Sequence, residues 1–345
     1  MYFLNNATFH SVVLHHVGNK QNGDALRHSK FPLKLDEETG ELLKTYFLSK
    51  FKSEELFQFT HSSDLELNEV YTYVTEIFDN PESLVEQSQH LATFLYEQCT
   101  HPKIKGGEFY VVYFKDCVID KKGVDAVGLF KSENKETFLK IYPQGDNFEV
   151  ESQQGININK LDKGCLIFNT ESENGYRVAV VDNTNRNMEA QYWVDDFLQL
   201  KVREDNYYQT ANTLEMYKDY VTKQLPEEFE MNRVDQADLL NRTMDFFKNK
   251  EEFTMQDFTQ EILQQPEVID SFDAYRTEYQ NEHDLMLSDD FNISEGAVKK
   301  QQRVYKSVIK LDKNFHIYVH GDRSKIEHGE DYKGKFYKIY FDEEK

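Results

Sequence analysis

The first hydrophobic run, Ala7-Thr8-Phe9-His10-Ser11-Val12-Val13-Leu14-His15-His16-Val17, is rich in β-branched residues and predicts a strand. Residues 18–29 are polar and carry two glycines, which predicts a loop. From Asp36 the spacing becomes helical. Leu42, Leu43, Tyr46, Phe47 and Phe51 fall on one side of a helix that runs to about Lys52, with Asp36 placed to cap it. Helices follow at 66–79 and 82–100. Their apolar positions, Val70, Val74, Ile77, Phe78 and then Leu84, Leu91, Leu95, keep a period of about 3.6 residues. Pro81 sits at the start of the second, where a missing N–H costs nothing.

The texture changes at Gly106-Gly107. Strand-like segments at 108–118, 124–131, 136–142, 164–169 and 176–182 predict an antiparallel sheet packed against the preceding helices. Asp120-Lys121-Lys122-Gly123 and Glu133-Asn134-Lys135 have the composition of hairpin turns. From about 190 the pattern is helical again. Trp193, Phe197 and Leu200 begin a helix expected to continue, with a break, to Leu225, and Pro226 marks a boundary. Further helices are expected at 234–249, 254–264 and 267–283, the second opening on a capping-box-like Thr254-Met255-Gln256-Asp257. A helix at 294–302 precedes three short strands, Val304–Leu311, Phe315–His320 and Lys335–Phe341.

This order predicts an α+β fold: N-terminal helices packed on an antiparallel sheet, a helical middle segment and a small C-terminal β-rich unit. The expected domains are 1–185, 186–290 and 291–345. A 14% aromatic content, with 26 Phe and 21 Tyr, supports folded cores, and only 6 Pro and 15 Gly leave little for long linkers.

The formal charge of −22, from 62 acids against 40 Lys and Arg, repels DNA phosphates and anionic membranes at long range and attracts basic partners. Three cysteines without CxxC spacing point to reduced thiols; Cys117 and Cys165 lie in apolar stretches as small buried hydrophobes. Met1-Tyr2-Phe3-Leu4-Asn5-Asn6 lacks a basic region followed by an apolar run, and no stretch approaches the ~18 apolar residues of a membrane helix. The expected location is the cytoplasm or the nucleoid.

No phosphate loop, dinucleotide fingerprint or serine elbow is present, and Gly106-Gly107 reads as a strand-entry turn. His10, His15 and His16 read as ordinary sheet histidines. His316, His320 and His328 lie near Lys313, Arg323 and Lys325, a poor setting for a metal cation. The acidic runs Asp36-Glu37-Glu38, Asp195-Asp196 and Glu227-Glu228 sit at helix starts, where they complement the dipole. No catalytic residues, metal or cofactor are expected.

The C-terminal basic segment is the most informative feature. Between 299 and 340 there are eleven cations and five acids, +6 in a chain whose remainder carries −28. Lys299, Lys300, Arg303, Lys306, Lys310, Lys313, Arg323 and Lys325 form the expected anion-facing surface, with Lys306 and Lys310 on one face of a strand. A lysine-rich edge that discourages aggregation is the competing reading.

The opening strand with Leu14-His15-His16, the Gly106-Gly107-Glu108-Phe109-Tyr110-Val111-Val112 strand, Leu161-Asp162-Lys163-Gly164, and Ser307-Val308-Ile309-Lys310-Leu311-Asp312 resemble, in order and texture, the bacterial nucleoid-associated (NdpA/YejK) family. The resemblance covers most of the chain and brings no catalytic residues. It implies binding to double-stranded DNA in the nucleoid, as a homodimer, and phosphate contacts from the basic segment would make that binding non-specific. Apolar positions between 190 and 283 are the expected dimer interface. The alternative is an acidic interaction adaptor, or DNA mimic, that binds basic surfaces of DNA-handling proteins.

Overall fold

Phe109-Tyr110-Val111-Val112-Tyr113-Phe114 is apolar without alternation because both faces of its strand are covered. The computed structural model describes residues 1–184, 192–305, 308–311, 313, 315–319 and 325–343. The fold is α+β, and the chain divides into two compact units, Met1–Arg203 and Glu204–Lys345.

The first unit is built on an eight-stranded antiparallel sheet. Its central strand β4 (Gly107–Ile119) pairs on one side with β1 (Tyr2–Phe3) and β2 (Thr8–Val17). On the other side follow β5 (Lys122–Ser132), β8 (Lys163–Phe168), β9 (Arg177–Asp182), β3 (Phe57–Phe59) and β10 (Leu200–Val202). Phe109, Val111, Tyr113, Val127, Leu129, Cys165 and Ile167 face α2 (Glu69–Asp79), α3 (Leu84–Gln98) and a π-helical turn at Trp193–Leu198. Tyr110, Val112, Phe114, Phe130 and Leu166 face α1 (Glu37–Leu48), whose Phe47 stacks on Phe130 at 4.3 Å between centroids. Each such side chain contributes about 1.5–3 kcal/mol on burial. Asp36 caps α1 by accepting the Thr39 N–H, as its position predicts.

The expected turn at Asp120-Lys121 joins β4 to β5 with both residues left-handed, φ 47° and 65°. The second expected hairpin does not form. After β5 the chain leaves the sheet, and β6 (Glu136–Gln144) pairs, among the described residues, only with the unpredicted β7 (Asn147–Gly155) in a separate ribbon. The cause is Asp162, whose carboxylate accepts the N–H groups of Glu133 and Asn134 at 2.7 and 2.9 Å and the Asn134 amide at 2.8 Å. These bonds turn the chain outward and leave the edge of β5 to β8.

The helix expected from Trp193 onward, with a break, is interrupted by a strand. Gln199, at φ 52°, ends the π-helical turn, and Leu200–Val202 pairs with β3. The sheet therefore extends the first unit to Arg203.

In the second unit, α4 (Asn206–Asp219) continues through a widened turn at Tyr220–Gln224 into α5 (Leu225–Glu228). Pro226 sits within this run instead of ending it. It opens α5 directly after the widened turn, a place that asks no N–H of it. The helices α6 (Arg233–Asn249), α7 (Met255–Phe258), α8 (Pro266–Glu282) and α9 (Glu295–Gln302) follow. Asn232 and Asp235 close a capping box on α6, Thr254 caps α7 and Ser294 caps α9. Leu214, Tyr217, Tyr220, Phe246, Phe247, Phe253, Phe258 and Phe272 form the core. A short pair, β11 (Glu252–Thr254) with β12 (Asp290–Asn292), lies beside it. Two hairpins end the chain: β13 (Val308–Leu311) with β14 (Phe315–Tyr318), and the unpredicted β15 (Ile326–Asp331) with β16 (Gly334–Ile339).

Candidate nucleic-acid interface

The basic segment spans three local settings. Lys299 and Lys300 occupy the last turn of α9, where cations complement the helix dipole, and Arg303 is its exposed C-cap. Lys299 pairs with Glu295 at 3.1 Å, and the Lys300 ammonium lies 5.5 Å from the Tyr207 ring centroid. The Tyr305 hydroxyl, donated to the Leu214 carbonyl, anchors the exit of α9 onto α4.

β13 alternates. Ile309 is buried against Val234, Ala237 and Val319, and Lys310 is exposed. Lys313 is exposed in the following turn, and Lys325 pairs with Asp342. Lys306 and Arg323 lie outside the described residues, as does the expected pairing of Lys306 with Lys310 on one face.

Of the expected cations among the described residues, Lys310 is the one that lines the cleft formed where the N-terminus of α6 meets the two hairpins. This cleft, of about 780 Å³, brings Lys310 together with Arg233, Lys335 and His328, over a floor that includes Phe315, Phe336 and Tyr337. Arg233 donates to the Gln236 side chain at 2.9 Å, and the His328 ring lies 5.0 Å from that of Tyr337. The nearby carboxylate of Asp235 is turned to the backbone by the capping box. Burial pushes the Tyr337 hydroxyl up; Arg233 lowers it and Asp235 raises it. The cleft thus offers two ammonium groups, a guanidinium and an imidazole beside aromatic faces, the donor set that takes phosphate oxygens and stacks planar groups. Sequence reasoning missed Arg233, which lies 77 positions before Lys310 and whose only local signal was its place at the start of a capped helix.

A second group of cations in the first unit was not anticipated. Lys50, Lys103, Lys105 and Lys160 line a cavity of about 660 Å³ with Asn134, Asn159, Asn183, Glu133 and Asp162. Below it, neighbours in the β5–β8 ladder, Lys131 and Lys163, are both buried. Lys131 donates to Glu133 at 3.1 Å, to the Tyr192 hydroxyl at 3.0 Å and to the Lys105 carbonyl at 2.8 Å; Lys163 pairs with Asp182 at 2.8 Å. Both ammonium groups lie about 5 Å from the Tyr192 ring centroid, at 5.2 and 4.9 Å. Burial, then Glu133, pushes the Tyr192 phenol up, so it stays protonated and donates to Glu133. Each buried charge here has an opposite partner, which is what a buried pair needs to persist. The only sequence signals were Gly106-Gly107 and Leu161-Asp162-Lys163-Gly164. Gly107 opens β4 where a Cβ would overlap the Ser132 carbonyl oxygen, and Asp162 holds the turn out of the sheet.

His15, on β2, takes a structural role. His15 is buried, accepts the Ser29 N–H at Nδ1 (3.1 Å) and meets the Ser88 hydroxyl at Nε2 (2.9 Å). Burial, then His28, lowers its pKa to about 4.

Among the described residues, no helix is long and apolar enough to cross a membrane. Comparison with curated proteins finds no match. The family model described as nucleoid-associated protein YejK matches residues 13–343, and so covers the sheet from the middle of β2 onward, the helical core and both hairpins. The chain therefore belongs to the YejK family of nucleoid-associated proteins.

Proposed function

We propose that this protein binds double-stranded DNA in the nucleoid without sequence preference and without catalysis, as a homodimer. The observation that carries the reading is the cleft in which Arg233, Lys310, Lys335 and His328 converge. Family membership supplies the setting. At moderate salt, exposed charges more than about 10 Å apart are largely screened, so a local cationic cleft can hold phosphates although the chain carries −22. Lys299, Lys300 and Arg303 on α9, and Lys313, extend the proposed surface. Contacts of this kind position a duplex without reading its sequence.

A DNA titration at two salt concentrations tests the reading. Affinity is expected to fall steeply with salt and to be alike for unrelated sequences. The combined Arg233→Glu, Lys310→Glu, Lys335→Glu variant is expected to lose at least about tenfold in affinity for every duplex. Unchanged binding by that variant would exclude this surface. No binding by the parent at low salt would favour the second reading, an acidic adaptor or DNA mimic, which the excess of 62 acids over 40 Lys and Arg supports. Incubation with plasmid, ATP and magnesium is expected to leave all three unconsumed.

A further inference from the structure

The ribbon β6–β7 separates its charged and uncharged side chains onto opposite faces. In its register Ile141 faces Val150, Pro143 faces Phe148, Leu139 faces Ser152 and Thr137 faces Gln154. Side chains alternate along a strand, so these eight residues share one face. That face bears no charge. Its large side chains are open to solvent: Phe148 at 74%, Leu139 at 66%, Ile141 at 65% and Val150 at 62%.

The opposite face holds every charged residue of the two strands, Glu136, Lys140, Glu149 and Glu151, and these find partners on the same side. The Tyr142 hydroxyl donates to Glu149 at 3.0 Å, Lys140 lies across from Glu151 and 6.0 Å from the Tyr142 ring centroid, and Lys160 pairs with Glu136 at 2.5 Å. The Phe138 ring closes over Gly155. The charged face therefore finds its partners on the ribbon and on Lys160, and the uncharged face is left open.

We propose that the uncharged face of β6–β7 is the contact by which two copies of this chain associate. The inference rests on the dimeric reading above and names its surface. An isolated two-stranded ribbon is at best marginal in water, and this one pairs with no strand of the main sheet, so its apolar face needs a cover. The four large side chains expose roughly 450 Å² of apolar surface, the size of patches that mark interaction sites. With the other four residues the face reaches roughly 700 Å², close to the ~800 Å² that each partner contributes to a stable interface.

Nucleic acid does not fit as the occupant, because the ribbon and its tip carry Glu136, Asp146, Glu149 and Glu151 against Lys140 alone. A second copy does fit. Two-fold stacking of the same face places the apolar rows together about 10 Å apart and turns both charged faces outward. The carboxylates of the two copies are then separated by more than the Debye length of ~8 Å. Among the described residues, the helices carry no comparable exposed apolar row. The apolar positions between 190 and 283 expected to form the interface are buried in the units' own cores, such as Trp193 and Phe197 in the first and Leu214, Tyr217, Phe247 and Phe272 in the second.

Sedimentation velocity of the full chain, from about 1 to 100 µM, tests this. The parent is expected to be a dimer. Ile141→Lys with Val150→Glu places an attractive pair across the ribbon, which preserves the hairpin while making the face polar. This variant is expected to raise the dimer dissociation constant at least about 100-fold, with an unchanged circular dichroism spectrum. Exchanging the charges of the other face, Lys140→Glu with Glu151→Lys, is expected to leave the dimer intact. A chain in which a Gly-Ser turn replaces residues 138–153 is expected to fold and to be monomeric. A parent that is monomeric throughout overturns both the dimer and its surface. A dimer that survives in the polar-face variant or the ribbon-less chain overturns the surface alone. So does a ribbon-less chain that fails to fold, since the ribbon would then belong to the unit's own core.

Discussion

The two units carry similar charge and use it differently. Residues 1–203 hold 31 acids against 21 Lys and Arg, and residues 204–345 hold 31 against 19. In the first unit lysines reach the interior: Lys131 and Lys163 are buried in the sheet with Glu133, Asp182 and the Tyr192 ring around them. In the second, among the described residues, the cations of the C-terminal segment lie at the surface, on the end of a helix and on two small hairpins and their turns. Charge content therefore says little about role. A lysine on a strand covered on both sides has to be matched and becomes part of the structure. A lysine on a hairpin with one open face remains available to a ligand.

The contrast can be broken first in the core. Phe130→Ala removes the ring stacked on Phe47 and is expected to cost about 4 kcal/mol in urea unfolding of the first unit. An effect below about 1 kcal/mol would mean that the α1 face of the sheet is not the tight layer described. Glu133→Gln comes next. It leaves Lys131 buried without its carboxylate and is expected to destabilise by about 3 kcal/mol. A neutral result would assign the buried lysines a role other than holding the sheet's end together.

pH gives the third effect. The folded state holds His15 neutral, with its pKa lowered from 6.5 to about 4, first by burial and then by His28. The unfolded chain binds the proton more readily, so the stabilising contribution is complete above about pH 6.5. It is lost as the pH falls from there toward 4, by on the order of 2 kcal/mol. Chemical denaturation at pH 7 and 4.5 is expected to show this loss in the parent and a smaller one in His15→Gln. An equal loss in both would place the acid sensitivity elsewhere.

The smallest effect sharpens the contrast from the other side. Lys310→Ala is expected to change stability by less than about 0.5 kcal/mol, because the side chain is exposed. The same substitution is expected to lower the salt slope of DNA binding by about 1 if Lys310 holds one phosphate. A marked loss of stability would make Lys310 a structural lysine like Lys131.

The sequence by itself determined the features that close within one turn or one strand. Asp36 and Thr254 were readable as caps because the side chain meets an N–H three residues on. The β4–β5 turn was readable because Asp120 and Lys121 lie between two apolar runs that pair directly. The α+β class followed from the change of period between these segments. Only the tertiary structure decided what depends on residues distant in the chain. Asp162 acts on Glu133 and Asn134 from 29 and 28 positions away and thereby converts an expected hairpin into an outward ribbon. Leu200–Val202 becomes a strand because Phe57–Phe59 offers it an edge. Arg233 and Lys335 join Lys310 in one cleft, and Lys131 meets Lys163, through ladders and packing that no local spacing records. Periodicity and capping are set by the backbone's own geometry over a few residues, whereas partners across a sheet or a cleft are selected by which surfaces the folded chain can bury together.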